Sequence, residues 1–97
     1  MNAASDNLEK RARMISLAGD TTRIKILCFM FSHKTACVSE IADAVGMSIQ
    51  SVSHHLQMMK DNGLFSTQRQ GNKICYSICS SDFTKQLKKL VCDVEII

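Results

Sequence analysis

Residues 38 to 59 hold two short segments of helical period with only a few residues between them, and this spacing constrains the fold more than any other feature of the chain. In the first, "VSEIADAVG", Ile41, Ala42 and Val45 recur on one face and Gly46 stops the run. In the second, "IQSVSHHLQMMKDNG", Ser48 stands at the cap and Ile49, Val52, Leu56 and Met59 form the apolar stripe. Gly63 closes that helix at a position where left-handed geometry is cheap for glycine. Ala42 is small where two such helices cross closely. Gly46 allows the turn a positive φ, and Val52 locks the second helix onto the first. The pattern is that of a helix-turn-helix.

Further helices and one hairpin surround this pair. "SDNLEKRARMISLAG" has a candidate cap in Ser5 or Asp6, a stripe of Leu8, Ala12 and Ile15, and a stop at Gly19. Lying outside a small core, that helix is expected to pack on a partner chain. Asp20 caps "TTRIKILCFMFSH", where Ile24, Leu27, Cys28 and Phe31 fall on one face. After Gly63 the period changes from 3.6 to 2. Ile74, Tyr76 and Ile78 alternate with Cys75, Ser77 and Cys79, which puts those cysteines on the outer face of a strand. Gln70-Gly71-Asn72 supplies the hairpin turn, with Arg69 and Lys73 flanking its tip. "DFTKQLKKLVCDVEII" returns to helical period, with Phe83, Leu87, Leu90, Val91 and Val94 on one side. The expected order is α-α-α-α-β-β-α, a mainly α (α+β) winged helix-turn-helix over residues 1–97, without repeats or linkers.

Composition fits one such domain. A 97-residue chain buries roughly 60% of its unfolded surface, so oligomerisation would help it. With 45% hydrophobic and 22% charged residues the balance is globular. Twelve Lys and Arg against nine Asp and Glu leave +3, compatible with nucleic acid. No run approaches the ~20 apolar residues of a membrane span and no signal peptide is apparent, so a cytoplasmic location is expected. Five Cys cannot all pair internally. No Gly-rich phosphate loop is present, which argues against nucleotide enzymes. His54 and His55 are adjacent on a helix and point about 100° apart, without a carboxylate placed to orient them, which argues against nucleophilic catalysis. Neither an enzyme nor a cofactor is expected.

The exposed face of the second helix of the pair carries Gln50, Ser51, His54 and Gln57, with Ser53 alongside and Ser48 at the cap. These short, uncharged hydrogen-bonding groups suit base edges and phosphate oxygens in a major groove. The alternative is a solvated surface, but such a surface normally carries Lys and Glu, and residues 48 to 59 hold no formal charge. A hairpin directly after this helix makes the winged variant. Arg69 and Lys73 would then lie near flanking backbone or minor groove, unless they are an ordinary charged turn.

The stretch "VSEIADAVGMSIQSVSHHLQMMKDNGLFSTQRQGNKICYSI" resembles the ArsR/SmtB family of winged-helix repressors. The resemblance rests on "VSHHL" (Val52 to Leu56), "NGL" (Asn62 to Leu64), and Arg69, Gly71 and Tyr76 in "R-x-G-x-x-x-x-Y". "LAGDTTRIKIL" is similar to the family's "LADPTRLRIL", with Thr21 where proline is frequent. The resemblance runs from about Leu8 to Cys92. It implies a homodimer joined through its first and last helices, which binds double-stranded operator DNA until an inducer loosens it.

Metal-sensing relatives often carry "ELCVC" at the start of the third helix; here the stretch is "TACVS", with Cys37 kept and Ser39 in place of the second thiol. One Cys makes a poor soft-metal site. The last helix has Asp82, Asp93 and Glu95 but no His, the three being His33, His54 and His55. Cys37 reads as a structural thiol, and Cys75 and Cys79 as half-exposed strand thiols without a task. "ILC" and "LVC" place Cys28 and Cys92 like the paired thiols of the BigR/SqrR/HlyU branch, which respond to reactive sulfur or oxidants by linking within a protomer. By composition alone Cys28 is a small core hydrophobe. Cys92 is expected opposite the Leu87, Leu90 and Val94 stripe, beside Lys88 and Lys89, where ammonium groups favour thiolate. Three readings follow: a repressor released by persulfide or oxidant through Cys28 and Cys92; one released by a soft metal or metalloid through Cys37, Cys75 or Cys79; and a winged-helix protein-interaction module without DNA binding.

Overall fold

Local chemistry sets where each helix begins and ends. The computed structural model describes residues 3–92, with side-chain surroundings over 7–92. It comprises α1 (Ala3–Ala18), α2 (Thr21–His33), β1 (Thr35–Cys37), α3 (Val38–Val45), α4 (Ile49–Asp61), β2 (Phe65–Gln70), β3 (Lys73–Ile78) and α5 (Asp82–Val91). The expected elements are all present, with β1 in addition. Asp20 caps α2, its carboxylate accepting from the N–H groups of Thr22 at 2.8 Å and Arg23 at 3.2 Å. Ser48 caps α4 by accepting from Ser51 N–H at 3.1 Å. Ser81 and Thr84 exchange hydrogen bonds at the start of α5. Only α1 departs at its start, since the helix already includes Ser5 and Asp6, which were expected to precede it.

The core joins α2, α3 and α4 to the root of the wing. Ile26, Leu27, Met30, Ile41, Val52, Leu56, Met59 and Leu64 are fully buried, with Phe65, Tyr76 and Leu87 beside them. The buried face of α2 is therefore Ile26, Leu27 and Met30, and it differs from the expected set, because Ile24, Cys28 and Phe31 are half-buried. α2 packs against α1, α3, α5 and both β1 and β3, so its burial is set from several sides rather than one stripe. α1 meets the body through Met14, Leu17 and Ala18, leaving Leu8 and Ile15 exposed at 65% and 54%, with Ala12 also exposed.

The sheet has the order β1-β3-β2, antiparallel throughout. β1 pairs Ala36 with Tyr76 and Cys37 with Cys75. This corrects the expectation for Cys75. It is buried, because residues directly opposite in an antiparallel pair share a face and Cys37 covers it. Cys79 lies beyond β3 and is half-buried. Ile74 was expected inside but is 50% exposed, since it pairs with Arg69 near the hairpin tip, past the edge of the core.

Candidate DNA interface and thiol pair

Gly46 adopts φ +71°, ψ +38°, and the N–H of Met47 returns to Ala42 O at 3.1 Å. This left-handed stop turns the chain directly from α3 into α4. Buried Ala42 and Val52 then sit on the joined faces of the two helices. On α4, Val52, Leu56 and Met59 face the core, while Gln50, His54 and Gln57 are exposed with Ser48 at the cap. Ser51 and Ser53 are half-buried at the flanks of that surface. Ile49 departs from the expected stripe. At the first position of α4 it stands ahead of the turn that packs inward, and it is 56% exposed beside Gln50.

The two neighbouring histidines have different surroundings. Arg23 Nε donates to His55 Nδ1 at 3.2 Å, and Arg23 Nη1 reaches Leu17 O at 3.5 Å. His55 thus faces α2 and helps hold α4, while His54 stays outward. Nothing in the spacing of "HH" marks that division; Arg23 is 32 residues away. The wing tip carries Arg69 on β2 and Lys73 on β3, both exposed, around a two-residue turn in which Gly71 has φ +66°. Deeper in the sheet the Tyr76 phenol is pushed above its ordinary pKa, first by burial and then by the charge of Asp61.

Four of the five thiols pair. Cys28 is bonded to Cys92 with Cα atoms 5.5 Å apart, and Cys37 is bonded to Cys75. The first pairing requires α5 to sit differently from the expected stripe. Its buried residues are Thr84 and Leu87, with Phe83 and Val91 half-buried, and Leu90 is 68% exposed. Cys92, at the end of α5, is half-buried and meets α2 instead of standing on an opposite polar face. Val94, Asp93 and Glu95 lie outside the described residues. The Cys37–Cys75 pair was missed because three residues of β1 are too short to show a period. The one cue was a thiol in "TAC" and another in an alternating run. His33 Nδ1 lies 2.9 Å from Phe29 O at the end of α2. Among the described residues no group of three or more His, Cys, Asp or Glu is placed to hold a metal.

Comparison with known proteins places this geometry. Residues 20–67 match the family described as bacterial regulatory protein, arsR family. An uncharacterized HTH-type transcriptional regulator of Methanocaldococcus jannaschii is 31% identical over 86 residues, covering 89% of this chain and 96% of that protein. The cadmium resistance transcriptional regulatory protein CadC homolog of Staphylococcus aureus is 28% identical over 92 residues, covering 90% and 75%. A homodimeric winged helix-turn-helix DNA-binding domain from Mycobacterium bovis, a possible ArsR-family regulator, superposes with TM-score 0.81 at 27% identity, covering 96% and 87%.

Proposed function

Because the chain belongs to the ArsR family of transcriptional regulators, we propose that it is a homodimeric operator-binding repressor released by thiol chemistry at Cys28 and Cys92. The observation that carries this reading is the bond between α2 and α5, whose Cα separation of 5.5 Å lies within the range a disulfide accepts without backbone movement. Outside the α4 and wing surface, where Ile49 and Ile74 are exposed, the exposed large apolar residues among those described are Leu8 and Ile15 on α1 and Leu90 on α5. A bond that anchors α5 to α2 therefore acts on the element through which two protomers would meet. A small change in that joint alters the spacing of two recognition helices that must dock about one DNA turn apart. A hundredfold loss of affinity requires only about 2.7 kcal/mol of coupling.

In this reading Gln50, Ser51 and His54 read bases from α4, with Gln57 further along the same face. Ser48, Ser53, Arg69 and Lys73 hold backbone. The inducer is a persulfide or another oxidant able to take two electrons from the dithiol. Operator binding of reduced protein before and after persulfide, with mass-spectrometric mapping of the bond, tests it. Cys28→Ser and Cys92→Ser are each expected to bind DNA and lose the response, with Cys37, Cys75 and Cys79 dispensable. Release of the double variant by persulfide would overturn the assignment.

A second reading is favoured by one observation. When reduced, Cys37 and Cys75 are two thiols directly opposite each other in the sheet, and a CadC homolog is among the relatives. A soft metal or metalloid held there would be the inducer instead. Stoichiometric metal releasing operator DNA from wild type but not from Cys37→Ser would select this reading.

A further inference from the structure

A depression of 380 Å³ lies between α2, the sheet and α5, large enough for a small organic molecule rather than a single ion. Among the described residues its charged lining is of one sign: Lys34, Lys85 and Lys88, with no Asp or Glu. Phe31 and Ile78 supply apolar surface and Thr35 a hydroxyl. Lys34 has φ +66° and ψ −44°, a backbone conformation that residues with side chains rarely adopt. It is fixed from both sides, donating to Met30 O at 2.6 Å and accepting from Ile78 N–H at 3.1 Å. Strained positions held this way cluster at ligand sites.

Position along the helices ties the depression to the thiols. Phe31 follows Cys28 by three residues and Lys88 precedes Cys92 by four, spacings that put neighbours about 5–6 Å apart between Cβ atoms. The site also lies clear of the surface a second protomer would use. On α5 the inward residues are Thr84, Leu87 and Val91. Lys85, Lys88 and Cys92 each follow one of these by about 100°, whereas Phe83, Gln86 and Leu90 each precede one. Phe83 shares a groove with Met14 of α1, so the α1 side of α5 is the flank of exposed Leu90. The lysines are on the other flank.

We propose that this depression docks a small carboxylate-bearing molecule with an S–S bond, a low-molecular-weight disulfide or persulfide, and presents it to Cys28 and Cys92. The proposal rests on the thiol-switch reading and names the class of its oxidant. With a disulfide RSSR, one protein thiolate attacks and forms a mixed disulfide, expelling RS⁻. The second thiolate attacks the protein-bound sulfur, closes Cys28–Cys92 and expels the second RS⁻. The protein dithiol loses two electrons, RSSR gains them, and the two thiol protons end on two RSH. With a persulfide RSSH the outer sulfur passes to the first cysteine as RSH leaves, and the second cysteine closes the bond as H₂S departs.

The test compares glutathione disulfide, which is anionic, with cystamine, which is dicationic, on fully reduced protein. Formation of Cys28–Cys92 is followed by mass spectrometry, each rate being divided by that of the same oxidant with an unstructured uncharged thiol. At low salt glutathione disulfide is expected to be faster by about tenfold or more, and the advantage should collapse at high salt. The triple variant Lys34→Gln, Lys85→Gln, Lys88→Gln should bring the two rates together, with thermal unfolding as the check on its fold. Equal normalised rates in wild type, or a preference that survives the triple variant, would overturn anion docking and leave the thiol switch standing. If glutathione disulfide, cystamine and glutathione persulfide all fail to close Cys28–Cys92, both proposals fall.

Discussion

Ile49 and Leu56 lie on the same helix and meet opposite surroundings. Leu56 is fully buried in the core, while Ile49 stands exposed at the head of α4. Leu56→Ala is expected to cost about 2–5 kcal/mol, from lost transfer energy and the cavity left behind. Ile49→Ala should stay within about 0.5 kcal/mol, a contrast that urea unfolding of the two variants measures directly. In the proposed reading the polar residues of α4 and the wing divide by role instead. Gln50→Ala or His54→Ala should cost ~1–3 kcal/mol on the cognate operator and relax preference at one position. Arg69→Ala or Lys73→Ala should weaken binding to all sequences alike and reduce the log–log salt slope by about 0.9 per lost phosphate contact. Titration against operator and scrambled DNA at several salt concentrations separates the two behaviours. Unchanged operator affinity in both Gln50→Ala and His54→Ala would remove α4 from the reading role.

Among the elements, α5 depends most on a covalent tie. Its buried residues are few, Thr84 and Leu87 with Val91 partly covered, and its attachment to α2 includes the Cys28–Cys92 bond. That bond closes a loop across a sequence separation of 64 residues. In the chain-entropy account such a crosslink contributes about 4 kcal/mol by restricting the unfolded chain, and native-state effects usually lower the figure. Oxidised protein is therefore expected to be more stable than Cys28→Ser by about 2–4 kcal/mol, and the difference should vanish in reductant. An equal midpoint for both proteins under oxidising conditions would show that α5 holds its place without the bond. The α3–α4 turn needs no such tie, because Gly46, Ala42 and Val52 fix it through local geometry and close packing.

At the scale of the whole molecule, Ile49 and Ile74 are exposed together beside the wing, and the other exposed large apolar residues among those described lie on α1 and α5. Leu8, Ala12 and Ile15 run along the outer side of α1, and Leu90 is exposed on α5. Burying apolar surface is worth about 25 cal/mol per Å², so covering these faces with a second copy is the arrangement they favour. Sedimentation equilibrium is expected to show a dimer at micromolar concentration, and Ile15→Glu should shift it to monomer while leaving the fold intact by circular dichroism. A wild-type monomer at that concentration would contradict the dimer. Loss of operator binding by a folded monomeric variant is the expected companion result, since two half-sites must be held together.

What the sequence determined by itself is what short-range chemistry decides. Asp20, Ser48, Gly46 and Gly63 mark helix ends because caps and left-handed stops involve residues two to six apart. Gly71-Asn72 marks the hairpin for the same reason, and the spacing of Ala42, Gly46 and Val52 is enough for the helix-turn-helix. The polar surface of α4 was legible as well, since a dozen residues without a charge is a local property. The inward faces of α3 and α4 were legible too, but tertiary structure alone decided which face of α1, α2 and α5 is covered. α2 and α5 are each turned from their apparent stripe, because neighbours far along the chain settle what is buried. β1 emerged only through its pairing with β3, and that pairing turned Cys75 from an expected outer thiol into a buried partner of Cys37. Arg23 likewise separated His55 from His54 across 32 residues. Period and capping act over one or two turns, whereas burial is a property of the assembled core.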